Sequence, residues 1–292
     1  MRLTLWPSLL TPFVFLAAFL LAGDIVLAQT DERIIYASVV TNHGEPVLDL
    51  GVSDFIVRED GQPREVLSVA RDNDPLQIAL LADNSDAMRT HVPDLRKALG
   101  TFVDSVREGV QIALITLAER PTIAVGYTTD RGVLHKAIDK LFAFQAGNYL
   151  LDAVAETSQG LAKRTMRRSA IVVISGSGAE YSYRQYTEVL RFFREGGAAL
   201  HAVILGTGNT NAGREIVLSR GSSQTGGRYE NIMSPTALEL KARQVALEVS
   251  NQYRVTYARP DRLIPPKQTE VSVKRQDLKA RGMLMKTEKD QR

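Results

Sequence analysis

Asp83 and Ser85 stand two residues apart where the apolar run Leu76 to Ala82 ends, within the segment Leu76-Gln77-Ile78-Ala79-Leu80-Leu81-Ala82-Asp83-Asn84-Ser85-Asp86-Ala87-Met88. A carboxylate and a hydroxyl at this spacing can help hold a hard divalent cation, which takes oxygen ligands in a near-octahedral shell. Ala87 has no lone pair and adds nothing to such a shell. Other chemistries have less support. The absence of cysteine excludes thiol catalysis, thiolate metal sites and lipidation on an N-terminal cysteine. The four histidines, His43, His91, His135 and His201, fall on different elements, and no two lie one helical turn apart, so zinc is not expected. A serine nucleophile needs a base and an orienting group beside it. Here no Gly-x-Ser-x-Gly elbow occurs, and His91, the histidine nearest the segment, has no evident carboxylate partner. The chain is therefore expected not to be an enzyme, with a serine hydrolase as the least favoured alternative. Gly206 to Arg214 lacks both the Lys-Ser/Thr pair of a P-loop and the Gly-x-Gly-x-x-Gly spacing, and reads as a strand-to-helix loop rather than a nucleotide cradle.

The elements that must position Asp83 and Ser85 are legible around them. From Leu76 to about Asn251 apolar strands alternate with amphipathic helices: strands at Ile78 to Ala82, Val110 to Leu117, Ile171 to Ser175 and Leu200 to Leu205, and helices at Val92 to Val106, Arg131 to Phe142, Leu151 to Lys163, Tyr186 to Glu195 and Ala237 to Ser250. Ser234-Pro235 reads as the cap and first-turn proline of the last helix. Continuous apolar strands between helices predict an α/β fold, a doubly wound, mostly parallel sheet covered on both faces. In such sheets ligands collect outside the carboxyl ends of the strands, which is where Asp83 and Ser85 fall.

Either side of this region the chain has β character. Arg33 to Thr41, Phe55 to Arg58 and Arg64 to Ala70 read as strands, with Asp60-Gly61 as the hairpin turn between the second and third. Tyr253 to Tyr257 and Thr269 to Lys274 alternate in the same way and are expected to pack with them as a small sandwich. Residues 1–28 have the order of a secretory signal peptide: one base, an apolar stretch from Phe13 to Leu21, and the small-residue end Val26-Leu27-Ala28. The expected organisation is a signal peptide at 1–28, a β segment at 29–74, the α/β domain at 75–251, and closing strands with a charged tail at 252–292. The expected location is secreted or periplasmic, with a membrane met only if the signal stays uncleaved as an anchor. A formal net charge of +3 spread over 292 residues does not indicate nucleic acid.

The segment through Asp83, the second loop Gly147-Asn148-Tyr149-Leu150-Leu151-Asp152-Ala153 and the third loop Ile171-Val172-Val173-Ile174-Ser175-Gly176-Ser177-Gly178 together resemble the von Willebrand factor A domain. The opening β segment and the closing Gln252-Tyr253-Arg254-Val255 strand are similar to bacterial exported members of that family. The resemblance implies a Rossmann-like domain and a metal-ion-dependent adhesion site built on Asp-x-Ser-x-Ser, a threonine and an aspartate, with a partner's carboxylate completing the metal. Asp83 and Ser85 match. Ala87 stands for the second serine, Asn148 for the threonine and Gly176 for the aspartate. The site is thus expected to be degenerate, with Asp83, Ser85 and Asn148 as its remnant and no cofactor bound. The competing expectation is a rebuilt Mg²⁺ or Mn²⁺ site with Asp86, Ser175 or Ser177 as substitute ligands. The expected role is binding another protein through the crevice loops, with Arg89, Tyr181, Tyr183 and Arg184 as contact residues. Arg89 and His91 would make that face cationic, which suits a partner presenting a carboxylate.

Overall fold

A computed structural model describes residues 30–164, 166–206, 211–260, 266 and 268–284. Residues 1–28, expected to be a signal peptide, and the charged stretch from Lys286 to Arg292 lie outside the described residues. The central sheet has six strands in the order β10 (Tyr229–Ile232), β9 (Ala199–Leu205), β8 (Arg168–Gly176), β5 (Leu76–Ala82), β6 (Gln111–Thr116) and β7 (Thr122–Thr128). All neighbours pair in parallel except β6 and β7. Every residue of β5, β8 and β9 is buried, because helices cover both faces. One face packs on α1 (Val92–Ser105), α2 (Arg131–Asp139) and α6 (Ala237–Ser250), through side chains such as Leu95, Leu134 and Val245. The other packs on α3 (Leu150–Ala162), α4 (Tyr186–Gly196) and α5 (Ala212–Gln224), through Val154, Phe193 and Val217. Each such aliphatic side chain contributes about 1.5–3 kcal/mol by leaving water.

The expected fold class is what the structure has. Three elements were not anticipated from sequence. β7 is an exposed antiparallel edge strand, β10 has only four residues, and α5 is rich in Gly and Ser and carries little amphipathic contrast. Ser234 does not cap α6; the N-cap is Thr236, and Ser234 Oγ instead lies 2.7 Å from the Thr236 hydroxyl.

The flanking segments fold together as two antiparallel sheets. One has the order β13 (Leu278–Leu284), β1 (Thr30–Thr41), β11 (Gln252–Pro260), β4 (Val66–Arg71); the other is β12 (Thr269–Val273), β2 (Phe55–Glu59), β3 (Gln62–Arg64). Their shared core includes Ile35, Phe55, Val57, Tyr253, Val255 and Tyr257. Asp60 and Gly61 turn the β2–β3 hairpin with φ of 49° and 79°, the left-handed pair that two-residue hairpins favour. The expectation that Arg64 to Ala70 forms the returning strand needs correction. The return is β3 alone, and after Glu65 the chain crosses to the other sheet, where β4 pairs with β11. The strand β13 was also not read from sequence.

The two units meet at the amino-terminal ends of β5 and β8. Arg168, 2% exposed, forms an ion pair with Asp72, donates from Nη2 to the Val249 carbonyl at 2.9 Å and to Gln252 Oε1 at 2.6 Å, and lies 5.2 Å from the Tyr36 ring centre. One guanidinium thus ties together β8, the linker before β5, the end of α6, β11 and β1. Removing one partner of a buried pair leaves the other charge uncompensated. Arg168→Met is expected to lower unfolding free energy by about 3–5 kcal/mol, and chemical denaturation would measure it. His201 is fully buried beside Glu248, Arg228 and Arg281, and burial holds its imidazole down at about 4. The unfolded chain takes up that proton near pH 6.5, so this contribution is complete above pH 6.5 and is lost as pH falls toward 4, by about 3 kcal/mol in all. Stability curves of His201→Leu against the parent across that window should show the slope diminish in the variant.

Candidate functional site

Each loop that the resemblance singles out lies at the carboxyl edge of the sheet. The run of β5 ends at Ala82 because Asp83 turns its carboxylate inward: Oδ1 accepts from the Ser85 amide at 2.9 Å, starting the 3-10 turn Asp86–His91. Oδ2 accepts from Asn148 Nδ2 at 2.7 Å, Ser175 Oγ at 2.6 Å and the Gly176 amide at 3.0 Å. Asp83 is completely buried, and Ser85 and Asn148 are each 1% exposed. The structure therefore brings Asp83, Ser85 and Asn148 together, with Asp83 as the hub that all three loops share. The carboxylate bonds a backbone amide in each of two loops and the Asn148 side chain in the other, so it serves as an internal acceptor.

A cation also belongs to this cluster, and it comes from the protein. Arg214, 6% exposed, donates from Nη2 to Ser175 Oγ at 3.0 Å and to the Gly176 carbonyl at 2.7 Å, and from Nη1 to the Gly178 carbonyl at 3.3 Å. Only the Ser175 hydroxyl separates its charge from Asp83. Sequence reading placed Arg214 at the end of a loop, whereas it sits in the first turn of α5, three residues after Asn211, whose side chain caps that helix by accepting from the Arg214 amide at 2.9 Å. In the folded chain Arg214, Val217, Leu218, Gly221 and Ser222 form the buried stripe of α5 at helical spacing, a pattern its Gly- and Ser-rich sequence shows only weakly. An arginine on such a stripe needs internal acceptors.

The divalent cation implied by the resemblance does not fit these residues. Asp83 already accepts four protein donors. No carboxylate stands at Gly176, and the loops are packed too closely to admit one easily. A Cβ at Gly176 would lie 3.0 Å from Met88 Sδ and 3.3 Å from the Ala87 methyl, and one at Gly178 would lie 2.5 Å from that methyl. Among the described residues no group of three or more His, Cys, Asp or Glu is placed to hold a metal ion.

A cavity of about 620 Å³ opens beside this cluster, lined among others by Ser85, Asp86, His91, Asn148, Tyr181 and Met233. His91 shares the cavity with Ser85, but no hydrogen bond joins them among the described residues. Of the expected contact residues, Tyr183 is 85% exposed and Tyr181 56% exposed, and both rings lie 6.3 Å from that of Tyr149, which sequence reading did not single out. The Tyr181 ring rests on Gly147, where a Cβ would come within 2.0 Å of it. Phe142 and Phe144 stack at 4.6 Å, with the Phe144 amide donating to the Asn84 carbonyl at 2.8 Å, and are likewise exposed. The arginines are less available than expected. Arg89 donates from Nε to Asp86 Oδ1 at 2.7 Å, and Arg184 donates to Glu188 at 2.8 Å, so neither leaves an unpaired cation on this face. Glu180, whose carboxyl burial pushes upward, accepts from the Leu151 amide at 3.4 Å and the Ser182 amide at 3.2 Å.

If Asp83 is an internal hub, Asp83→Ala strands several buried donors at once. The expected loss is about 2–4 kcal/mol, read as a lower denaturation midpoint, while added Mg²⁺ or a chelator leaves the parent's melting temperature unchanged.

A family model described as von Willebrand factor type A domain matches residues 78–179. Among solved structures, a von Willebrand factor type A protein from Catenulispora acidiphila is similar with a TM-score of 0.51 and 10% identity over 88% of this chain and 72% of that one. Proximal thread matrix protein 1 from the mussel byssus is similar with a TM-score of 0.50 and 17% identity, over 66% of this chain and 50% of its own. At these identities the likeness is one of fold. A search of curated proteins found no match. The matched span runs from β5 through the loops that hold Asp83, Asn148 and Ser175, and the chain accordingly carries a von Willebrand factor type A domain.

Proposed function

We propose that this is an exported, non-catalytic recognition module that binds another protein at the crevice loops without a divalent metal. Domains of this family commonly mediate interaction between proteins. The observation that carries the metal-free reading is the Asp83 hub, whose acceptor positions are filled by the chain's own donors and whose neighbouring cation is Arg214. Contact area comes from the exposed rings of Tyr181, Tyr183, Phe142 and Phe144 beside a cavity large enough for one side chain. Aromatic rings supply large contact area at low entropic cost, and tyrosine adds a polar end. Export is supported by the signal pattern in residues 1–28 and by a cysteine-free chain that relies on its core. A secreted or periplasmic location follows from that support.

A random peptide library displayed against the protein tests this. Peptides that bind the parent should lose about tenfold or more in affinity against the double variant Tyr181→Ser, Tyr183→Ser, in line with roughly 1.4 kcal/mol from anchoring aromatics, and should bind equally with and without chelator. Binders that need Mg²⁺ or Mn²⁺ would favour a rebuilt metal site, and binders indifferent to both tyrosines would move recognition away from this edge.

A further inference from the structure

We propose that the crevice cavity is a receptor for a protonated amine, the ammonium of a partner's lysine side chain, so that its polarity is the reverse of a metal-plus-carboxylate contact. This deepens the recognition reading above and rests on it.

Two oxygens set the polarity. Ser85 Oγ and Asn148 Oδ1 are buried, belong to residues lining the same cavity, and have no hydrogen-bond partner among the described residues. The Asn148 amide cannot relieve this by flipping. Its nitrogen donates to Asp83 Oδ2 and to Ser175 Oγ, and a flip would set its carbonyl against the carboxylate. Asn148 Oδ1 only accepts, so whatever satisfies it must donate. A buried acceptor left unmatched costs about 1–3 kcal/mol, which a bound donor would recover.

The charges agree. Among the described lining residues Asp86 alone carries a permanent charge, and Arg89 engages its Oδ1. Arg214 does not line the cavity; it is turned to Ser175 and to the carbonyls of Gly176 and Gly178. Strand-to-helix crevices usually draw anions to helix N-termini. Here the N-termini of α3 and α5 are already occupied, whereas those of α1 and α6 carry no side-chain cap. The Leu151 and Asp152 amides at the start of α3 donate to Glu180 Oε1 and Ser182 Oγ, and the Arg214 amide of α5 donates to Asn211. A carboxylate entering the cavity would therefore meet Asp86 and the acceptor-only Asn148 Oδ1, with the Ser85 hydroxyl able to donate to it or to accept from an amine. An ammonium brings three donors on a thin apolar stem that Leu205, Met233 and Pro235 can flank, and the face of Tyr181 offers a further cation contact.

The test is an NMR titration of the ¹⁵N-labelled protein with n-butylammonium chloride, sodium butyrate and magnesium chloride in turn. Saturable shifts at Ser85, Asp86 and the Asn148 side-chain amide are expected with butylammonium alone. They should weaken at least fivefold in Ser85→Ala, which keeps the backbone bond to Asp83, and in the surface variant Asp86→Asn. Nε-acetylation of lysines in the crevice-dependent peptides selected above should cut their affinity at least tenfold. Equal or stronger shifts with butyrate or Mg²⁺ would overturn the proposal, as would peptides whose tyrosine-dependent binding survives acetylation or contains no lysine. In that last case the recognition surface stands and the lysine assignment fails, whereas failure to select any tyrosine-dependent peptide removes both.

Discussion

The buried carboxylate of Asp83 is the constraint on which the crevice depends. A charge with no exposure survives in a protein interior only if donors surround it, and here the donors are drawn from every loop that forms the crevice. The order of the loops follows from that requirement. Asn148 is held at the junction of two isolated bridges, to Ala118 and to Glu180, while Ser175 is fixed between Asp83 and Arg214. Asn84 reinforces the same arrangement from the neighbouring position, its Oδ1 accepting from the Leu117 and Ala118 amides at 3.2 Å and 3.0 Å. A site that in a metal-binding relative would be closed by a dication is closed in this chain by hydrogen bonds and one guanidinium.

The substitutions at the site form a consistent set. Ala87 removes a hydroxyl, and its methyl packs where Gly176 and Gly178 have no side chain. With glycine at position 176, the charge of Asp83 is faced by Arg214 across the Ser175 hydroxyl.

Most of the architecture was legible because it rests on periodicity. The buried strands β5, β8 and β9 are unbroken apolar runs, and α1, α3 and α6 show clear faces, so their existence and nearly their ends follow from sequence. The elements that escaped have weak local signals. β7 is exposed along most of its length, β10 is very short, and the chain leaves its hairpin after the three residues of β3 to form β4 in the other sheet, a change that depends on tertiary pairing with β11. At the site, Asp83, Ser85 and Asn148 could be found from local motifs. Arg214 could not be placed beside them, since it comes from a later crossover and only the folded sheet carries its side chain to Ser175. Arg89 and Arg184 show the opposite limit: sequence marks them as charged and near the edge, but not that Asp86 and Glu188 claim them.

The join at Arg168 has a mechanical meaning. β5 and β8 run side by side in parallel register from Leu76 opposite Arg168 to Ala82 opposite Ile174, so the pair begins at the sandwich and ends at the Asp83 hub. A pull applied between a partner seated in the crevice and the sandwich would act along these strands. It would load their whole hydrogen-bond ladder in shear, all rungs together, instead of peeling them one at a time, and the first bonds to part would be those of the loops themselves.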